Sequence, residues 1–347
     1  MNVVCFRTAI LGLLLEFFLP AFAAAQNDYN GLVVFGDSLS DTGNKYAITG
    51  VANTPPYSEL LDFFLVADGP YTRGGLHHSN GATWIEQYAR PRGLAGAVRP
   101  ALRSEGKARN YAYGGARARP GLPIIPNSNQ HLPTQVGNFL ADVNSSAPAD
   151  ALYMIFIGAN DIFDAVVALS IDPTGTTSNM VIEQAIASVA SEIGNLTVAG
   201  ATHFVVINSP DLGLTPAARL VDAFISAADP NIPPGAVIAA ATAFSEAYNT
   251  ALSAVVDPMA GVEIINILDT FRELVLNPQD FGLANSTDAC VTPEQPPYAC
   301  KNADDYVFWD AIHPTKVAHS VIADLRGKGA VVHATRPGSR PHPKGRK

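Results

Sequence analysis

Short apolar runs alternate along the chain with longer stretches of helical character. Runs of this kind, rich in β-branched and aromatic residues, are typical of buried strands. Five of them occur, at residues 32–35, 110–113, 152–157, 204–207 and 262–267. Strands that alternate with helices favour a parallel sheet covered by helices on both faces. The pattern therefore predicts an α/β fold.

The stretches between and after these runs contain helical candidates. They lie at residues 83–90, 178–196, 216–227, 236–256 and 314–325. Pro314 suits the first turn of the last candidate. The N–H groups of a first turn have no acceptor within the helix, so the N–H that proline lacks is not missed there. In a parallel sheet, ligands bind beyond the carboxyl ends of the strands. Residues that directly follow the predicted strands are therefore the first candidates for chemistry.

The first 25 residues predict a signal peptide. Arg7 precedes a nearly unbroken apolar stretch over residues 9–22, and Ala23, Ala24 and Ala25 follow it. A transmembrane anchor is the alternative, but the stretch is shorter than the roughly 20 residues that span a bilayer. We therefore expect a secreted protein, extracellular or periplasmic, without a stable membrane anchor.

Cysteine usage agrees with export. Cys5 would leave with the signal peptide, so that Cys290 and Cys300 remain. An oxidising compartment would let this pair form a disulfide, and two free buried cysteines are the alternative. Neither cysteine has a second Cys or His at the spacing of a zinc finger, so no metal is indicated.

The rest of the chain predicts one domain over residues 26–334, because glycine and proline are spread along it and no linker or repeat interrupts it. The formal net charge of −9 argues against a nucleic-acid partner. Residues 335–347 carry five basic side chains among proline and glycine. That composition is typical of a disordered tail.

Ser38 is the first chemical candidate, because it lies just past the run at 32–35, where an α/β fold displays a nucleophile. A serine hydroxyl is a weak nucleophile until a base takes its proton, and the base needs a carboxylate to orient it. His313 and Asp310 supply these two groups near the other end of the chain. They are three positions apart, so a single turn can bring both side chains to one side.

Two other predicted strands are followed by candidate hydrogen-bond donors. Gly114 and Gly115 come after the second run, and Asn160 comes after the third. Ester cleavage builds negative charge on the carbonyl oxygen, which the backbone N–H of a glycine and the amide of an asparagine can stabilise. Each residue also has a structural alternative, since glycine forms turns and asparagine caps helices.

Taken in order, four segments resemble the GDSL, or SGNH, family of serine esterases and lipases. They are residues 36–44, 110–116, 158–161 and 310–315. The resemblance spans almost the whole chain after the signal peptide, and it implies a three-layer α/β/α sandwich with a five-stranded, flavodoxin-like parallel sheet. The larger α/β-hydrolase fold is disfavoured, because Ser40 stands where its Gly-x-Ser-x-Gly elbow has the second glycine.

The resemblance assigns a role to each member of a five-residue site. These are the nucleophile Ser38, the base His313, the orienting carboxylate Asp310, and the oxyanion donors Ser38 N–H, Gly115 N–H and the Asn160 side chain. Gly115 is preferred to Gly114 because it lies five places after Asn110, as in the family pattern. No metal and no organic cofactor is implied, and substrate-binding residues are not predicted.

The implied function is hydrolysis of carboxylic (acyl) esters in two acyl-transfer steps through Ser38. The long form of the first motif resembles the bacterial lipase and plant lipase-like branch, so lipid or lysophospholipid esters are the first candidate substrates. An acetyl esterase acting on cell-wall polysaccharide would use the same site, and an acyltransferase would pass the acyl group to an alcohol. A binding scaffold that has lost its chemistry is disfavoured by the complete site.

The segment that follows the nucleophile, residues 55–81, is aromatic and glycine-rich. A loop this long in a compact domain often lines a binding site. Phe64 and Trp84 nearby are predicted to pack in the core. The adjacent His77 and His78 are possible metal ligands, but no partnering cluster is visible in the sequence, so a solvated loop is favoured.

Overall fold

The computed structural model describes residues 29–58, 60–61, 66–67, 69–104, 106, 108–120 and 130–324. The predicted signal peptide and basic tail lie outside the described residues, as does Phe64. The strands within them are β1 (Gly31–Gly36), β2 (Leu60–Leu61), β3 (Val66–Ala67), β4 (Ala151–Phe156), β5 (His203–Ile207), β6 (Val262–Ile265), β7 (Asn285–Ala289) and β8 (Tyr306–Phe308).

The α-helices of the same part of the chain are α1 (Asn44–Thr49), α2 (Trp84–Ala89), α3 (Leu132–Asp142), α4 (Ala159–Ala168), α5 (Thr176–Val198), α6 (Pro216–Ala228), α7 (Ala236–Val256), α8 (Leu268–Leu276) and α9 (Lys316–Asp324). Short 3₁₀ helices lie at Thr72–Gly74, Arg90–Arg92, Leu212–Leu214, Pro278–Phe281 and Ala303–Asp305. No helix in the described part of the chain combines the length and apolar composition needed to cross a bilayer.

Among the described residues, the main sheet has four parallel strands in the order β1-β4-β5-β6. Strand β1 pairs with β4 from Gly31 opposite Ala151 to Gly36 opposite Phe156. Both strands are almost completely buried, which explains why their sequences are continuously apolar rather than alternating. The short strands β2 and β3, and likewise β7 and β8, form separate two-stranded pairs.

The predicted strand at 110–113 is not a member of the sheet, although the segment runs beside β1. Its Tyr111 N–H donates to the Val34 carbonyl (2.8 Å). The next rung is only half formed, because the Tyr113 N–H donates to the Gly36 carbonyl (3.0 Å) but the Gly36 N–H donates to Gln135 Oε1 (2.9 Å). Gln135 Nε2 also donates to the Gly36 carbonyl (2.8 Å). The segment therefore forms only isolated bridges, and four strands plus an extended edge segment stand where five strands were predicted.

Helices cover both faces of the sheet. Because side chains alternate along a strand, Val33 and Phe35 of β1 enter a core shared with α3, α4, α5 and α7. Leu32 and Val34 enter a second core shared with α2, α8 and α9. The predicted three-layer α/β/α sandwich is confirmed.

Helix α2 follows its sequence signals closely. Thr83 and Glu86 form a capping box, in which the Thr83 N–H donates to Glu86 Oε2 (2.9 Å). Trp84 in the first turn is buried against Phe156, with ring centroids 5.9 Å apart. Its predicted place in the core is confirmed.

Helix α9 begins two residues later than predicted. Pro314 pairs with Phe308 in an isolated bridge, and the helix begins at Lys316. Thr315 supplies the cap, since its Oγ1 accepts the Ala318 N–H (3.3 Å), which is an acceptor that a proline start lacks. The helices α1, α3, α4 and α8 were not predicted, and each of them is eleven residues or shorter.

Candidate active site

Ser38 lies in a tight turn at the carboxyl end of β1. The Asp37 side chain closes this turn, because its Oδ1 accepts the Leu39 N–H (3.0 Å). Gly36, the last residue of β1, has to be glycine, since a Cβ there would lie 2.5 Å from the Phe156 carbonyl oxygen. The turn leaves Ser38 half-buried at the edge of the sheet where ligands bind.

The structure brings Ser38, His313 and Asp310 into one hydrogen-bonded line. His313 Nε2 lies 2.8 Å from Ser38 Oγ, and His313 Nδ1 lies 2.7 Å from Asp310 Oδ2. The other carboxylate oxygen, Oδ1, accepts the backbone N–H groups of Ile312 (2.9 Å) and His313 (2.7 Å). Asp310 is fully buried and His313 nearly so. Three residues predicted from distant motifs are therefore in contact.

Tyr71 completes the set of donors around Asp310. Its hydroxyl donates to Asp310 Oδ2 (2.9 Å). The ring is buried between Tyr57 and Trp309, at centroid distances of 5.5 and 5.6 Å. Burial and the neighbouring carboxylate raise the pKa of Tyr71 well above its ordinary value, so the hydroxyl remains a donor. Its only sequence signal was its place in the aromatic loop, 239 residues from Asp310.

The turn that carries Gly115 is held against the turn that carries Ser38. The Gly114 N–H donates to Oδ2 of Asp41, three residues after Ser38 (2.9 Å). Gly115 has a φ of +83°, a backbone conformation that favours glycine. Within the described residues, neither the Gly115 N–H nor the Ser38 N–H donates to another group of the protein. Both amides are therefore available to a ligand.

Asn160 lies in the first turn of α4, directly after β4. Gly158 precedes the helix, and a Cβ at this position would lie 2.3 Å from the ring of Tyr248. The Asn160 Nδ2 donates to the carbonyl of Ala116 (2.9 Å), which is the residue after Gly115. An amide nitrogen carries two hydrogens, and this bond uses one of them. The structure thus places the predicted asparagine next to the predicted glycine.

Two buried carboxyl groups flank the nucleophile. Burial raises the pKa of Asp37 to about 7, although the Leu39 N–H opposes the shift. Burial also raises the pKa of Asp41 above its ordinary value, against hydrogen bonds from backbone N–H groups that include those of Gly43 and Gly114. Burial thus disfavours the ionised form of both carboxyl groups.

The two adjacent histidines are buried, so the predicted solvated loop is wrong for their side chains. His77 Nε2 lies 3.1 Å from Glu86 Oε2, and the His78 ring packs against His313 with centroids 5.0 Å apart. Burial, together with the charges of His313 and Lys45, lowers the pKa of His78 well below its ordinary value. No group of three or more His, Cys, Asp or Glu side chains in the described ranges is arranged to hold a metal ion.

His319 of α9 is a further buried histidine, and we expect it to make the fold sensitive to acid. Burial lowers its pKa to about 3. Below about pH 6.5 the unfolded chain binds a proton that native His319 does not, so stability falls by about 1.4 kcal/mol per pH unit as the pH decreases. Between pH 6 and pH 4, His319→Leu should therefore lose about 1–3 kcal/mol less stability than the wild type in urea unfolding.

The exposed His203 provides the matched control for this measurement. The variant His203→Gln should follow the wild-type dependence of unfolding free energy on pH. If His319→Leu showed the same dependence as the wild type, the assignment of acid sensitivity to His319 would be contradicted.

The predicted disulfide between Cys290 and Cys300 is present, and it adjoins the site. The Val291 N–H donates to the carbonyl of Trp309 (2.8 Å), the residue before Asp310. Cys290 is fully buried in a small apolar cluster with Trp309. The disulfide therefore stiffens the segment against which the Asp310 loop is built.

Removing the disulfide should cost stability. The two cysteines are 10 residues apart, and closing a loop of that size stabilises by about 2–3 kcal/mol through the entropy of the unfolded chain. The double variant Cys290→Ser/Cys300→Ser should lose that amount in urea unfolding. Dithiothreitol should produce a similar loss in the wild type and none in the variant, and equal stability of the two oxidised proteins would contradict the expectation.

Comparisons with known proteins indicate a family for this chain. A family model described as GDSL-like Lipase/Acylhydrolase matches residues 32–325. The chain is 24% identical to a phosphatidylcholine-sterol acyltransferase of Aeromonas hydrophila, over 87% of this chain and 90% of that protein. It is 25% identical to a GDSL esterase/lipase of Arabidopsis thaliana, over 85% of this chain and 84% of that protein.

Among solved structures, a catalytic mutant of an acetylxylan esterase from Geobacillus stearothermophilus is similar. The TM-score is 0.42 at 15% identity, and the alignment covers 85% of this chain and 91% of that one. The family match extends over most of the present chain, from β1 through α9. The chain belongs to the GDSL-like lipase/acylhydrolase family. It is a carboxylic-ester hydrolase.

Proposed function

We propose that the protein is a secreted serine ester hydrolase in which Ser38, His313 and Asp310 form the catalytic triad. The observation that carries the proposal is the line of two hydrogen bonds, 2.8 Å from Ser38 Oγ to His313 Nε2 and 2.7 Å from Nδ1 to Asp310 Oδ2. A nucleophile in reach of a base, itself oriented by a third group, is the arrangement that covalent catalysis by serine requires.

The geometry supports a two-step acyl transfer. Ser38 Oγ attacks the ester carbonyl carbon while His313 Nε2 takes the hydroxyl proton, and the imidazolium then gives this proton to the departing alcohol. Asp310 keeps the proton on Nδ1, so that Nε2 is the acceptor, and it stabilises the imidazolium. In the second step His313 takes a proton from water, which attacks the acyl carbon. The imidazolium then gives this proton to Ser38 Oγ as the bond from Oγ to the acyl carbon breaks, and the acid leaves.

The oxyanion donors that we propose are the backbone N–H groups of Ser38 and Gly115 and the side-chain amide of Asn160. The two N–H groups donate to no other described group, and Asn160 is joined to the residue after Gly115. Donors held in place before the charge develops stabilise the transition state more than the substrate. Removal of one such donor lowers kcat by about 10²–10³-fold.

For substrates, we propose esters of lipids or lysophospholipids. The support is the chain's similarity to proteins named esterase/lipase and phosphatidylcholine-sterol acyltransferase. The second of these names also makes acyl transfer the alternative reaction, in which an alcohol bound at the site replaces water in the second step. Export is supported by the Cys290–Cys300 disulfide, since such bonds persist in oxidising compartments.

A profile of acyl chain length tests the substrate class. The purified protein is given p-nitrophenyl esters from acetate to palmitate, lysophosphatidylcholine, acetylated xylan, and a phospholipid with a sterol as acceptor. We expect turnover of medium or long acyl chains and of lysophosphatidylcholine. A sharp preference for acetyl groups would refute the lipid class, sterol ester as the main product would identify a transferase, and no turnover of any ester would favour a binding scaffold.

A further inference from the structure

Arg117 joins the two elements that carry the proposed oxyanion donors. Its Nη1 donates to the carbonyl of Gly115 (2.8 Å). Its Nε and Nη2 donate to the two carboxylate oxygens of Asp164, each at 2.8 Å. Asp164 lies in α4, four residues after Asn160 and therefore one helical turn along the same face. One guanidinium thus connects the Gly115 turn to the helix of Asn160.

A second arginine strengthens the same connection. Arg119 is only 3% exposed, and its Nη2 pairs with Asp164 while its Nε lies 3.4 Å from Asp161 Oδ1. The Ala118 N–H donates to the other oxygen of Asp161 (2.8 Å). Asp164 thus pairs with both arginines, and displacing it would leave two guanidinium groups without this partner. Residues 117–119 are therefore fixed against the start of α4.

We propose that Arg117, through its pair with Asp164, is a positioning residue of the oxyanion site. It sets the placement of the Gly115 N–H relative to the Asn160 amide. This inference rests on the proposed function, since the donors are those assigned there. The planar fork of arginine is needed because three acceptors on two elements must be met at once, which the single ammonium of lysine cannot do.

The expected signature is a loss of turnover without a loss of substrate binding. An oxyanion site acts on charge that exists only in the transition state, so misplaced donors lower kcat and leave KM almost unchanged. For Arg117→Met we expect kcat for p-nitrophenyl butyrate to fall about 10- to 100-fold, with KM within about threefold of the wild type. Arg117→Lys should be intermediate, because it retains one of the contacts.

Arg272 supplies the matched control. It also forks between two carboxylates, Asp211 (2.8 Å) and Glu246 (2.5 Å), but it contacts neither Gly115 nor α4 among the described residues. Arg272→Met should keep the wild-type kcat and KM while losing a comparable ion pair. Melting temperatures of both variants separate an effect on turnover from an effect on stability.

Two further outcomes decide the proposal. If Arg117 and Asp164 act as a unit, the fall in kcat of the double variant Arg117→Met/Asp164→Asn is no larger than that of the single variant with the larger fall. Additive losses, an unchanged kcat in Arg117→Met, or a rise in KM that equals the fall in kcat would overturn the positioning role. Where Arg117→Met does not fold, Arg117→Lys and Asp164→Asn carry the same comparison.

The failure of this inference and the failure of the proposed function are distinguishable. Wild-type turnover in Ser38→Ala would remove the proposed function, whatever Arg117 does. Turnover that depends on Ser38 but is insensitive to Arg117→Met would remove only the positioning role.

Discussion

Replacing Ser38 by alanine is expected to lower kcat for p-nitrophenyl esters by at least about 10⁴-fold, with the protein still folded. The reason is that, among the residues that the structure describes, Ser38 Oγ is the only hydroxyl that hydrogen-bonds to His313 Nε2, at 2.8 Å. Without an acyl acceptor the covalent step is lost, and only the weak catalysis due to binding and the oxyanion donors remains. Steady-state kinetics and circular dichroism measure the two quantities.

Ser40, the other serine of the motif, is the control for this experiment. Its Oγ accepts the Nε1–H of Trp84 (3.0 Å) and is fully buried. Ser40→Ala should lose about 1–3 kcal/mol of stability, because a buried donor is left unpaired, and it should retain turnover. A diethyl phosphoryl reagent should add one phosphoryl group to the wild type and to Ser40→Ala, but none to Ser38→Ala. Turnover in Ser38→Ala within tenfold of the wild type would exclude Ser38 as the nucleophile.

Replacing Asp310 by asparagine is expected to lower kcat by about 10³–10⁴-fold, because it inverts the hydrogen bonding around His313. Both oxygens of Asp310 act as acceptors, Oδ2 for Tyr71 and for His313 Nδ1–H, and Oδ1 for two backbone N–H groups. An asparagine has to place its NH₂ group against one of these sets of donors. If the NH₂ faces His313, the imidazole proton moves to Nε2, which can then no longer accept the Ser38 proton.

The matched control is Asp304→Asn, six residues before Asp310, which removes an exposed carboxylate paired with Lys316 (3.1 Å). Surface pairs of this kind contribute little, so its kinetics should equal those of the wild type. Tyr71→Phe should have a smaller effect than Asp310→Asn, because it removes one donor and leaves the carboxylate in place. Equal kcat values for Asp310→Asn and the wild type would exclude Asp310 as the orienting group.

Features of the fold and site that depend on residues close together in the chain could be predicted from the sequence. Runs of apolar residues located the four strands of the sheet, and the helical candidate at 83–90 covers α2. Ser38, Asp310 and His313 were found because each lies in a local motif, and the structure brings these motifs together. The structure likewise brings Gly115, from the motif at 110–116, close to Asn160, from the motif at 158–161.

The features that were missed have partners far away in the chain. Tyr71 and Asp310 are 239 residues apart, and Gly36 and Gln135 are 99 apart, so no local pattern connects them. The solvated loop predicted for His77 and His78 was wrong because distant segments pack against them, Glu86 of α2 against His77, and His313 and Gly114 against His78. The type of a residue indicates whether it prefers water or the core. The burial of these residues depends instead on which distant segments pack against them.

The side-chain amide of Gln135 hydrogen-bonds to the main chain of Gly36 as a neighbouring strand would. Its Oε1 accepts the Gly36 N–H, which leaves that N–H without a main-chain partner in the edge segment. The Gly36 carbonyl accepts both Gln135 Nε2 and the Tyr113 N–H, so the edge segment keeps one of the two bonds at this rung. The turn with a positive φ at Gly115 begins directly after it. An amide from helix α3 thus meets the end of the sheet at the point where the Ser38 and Gly115 turns leave it.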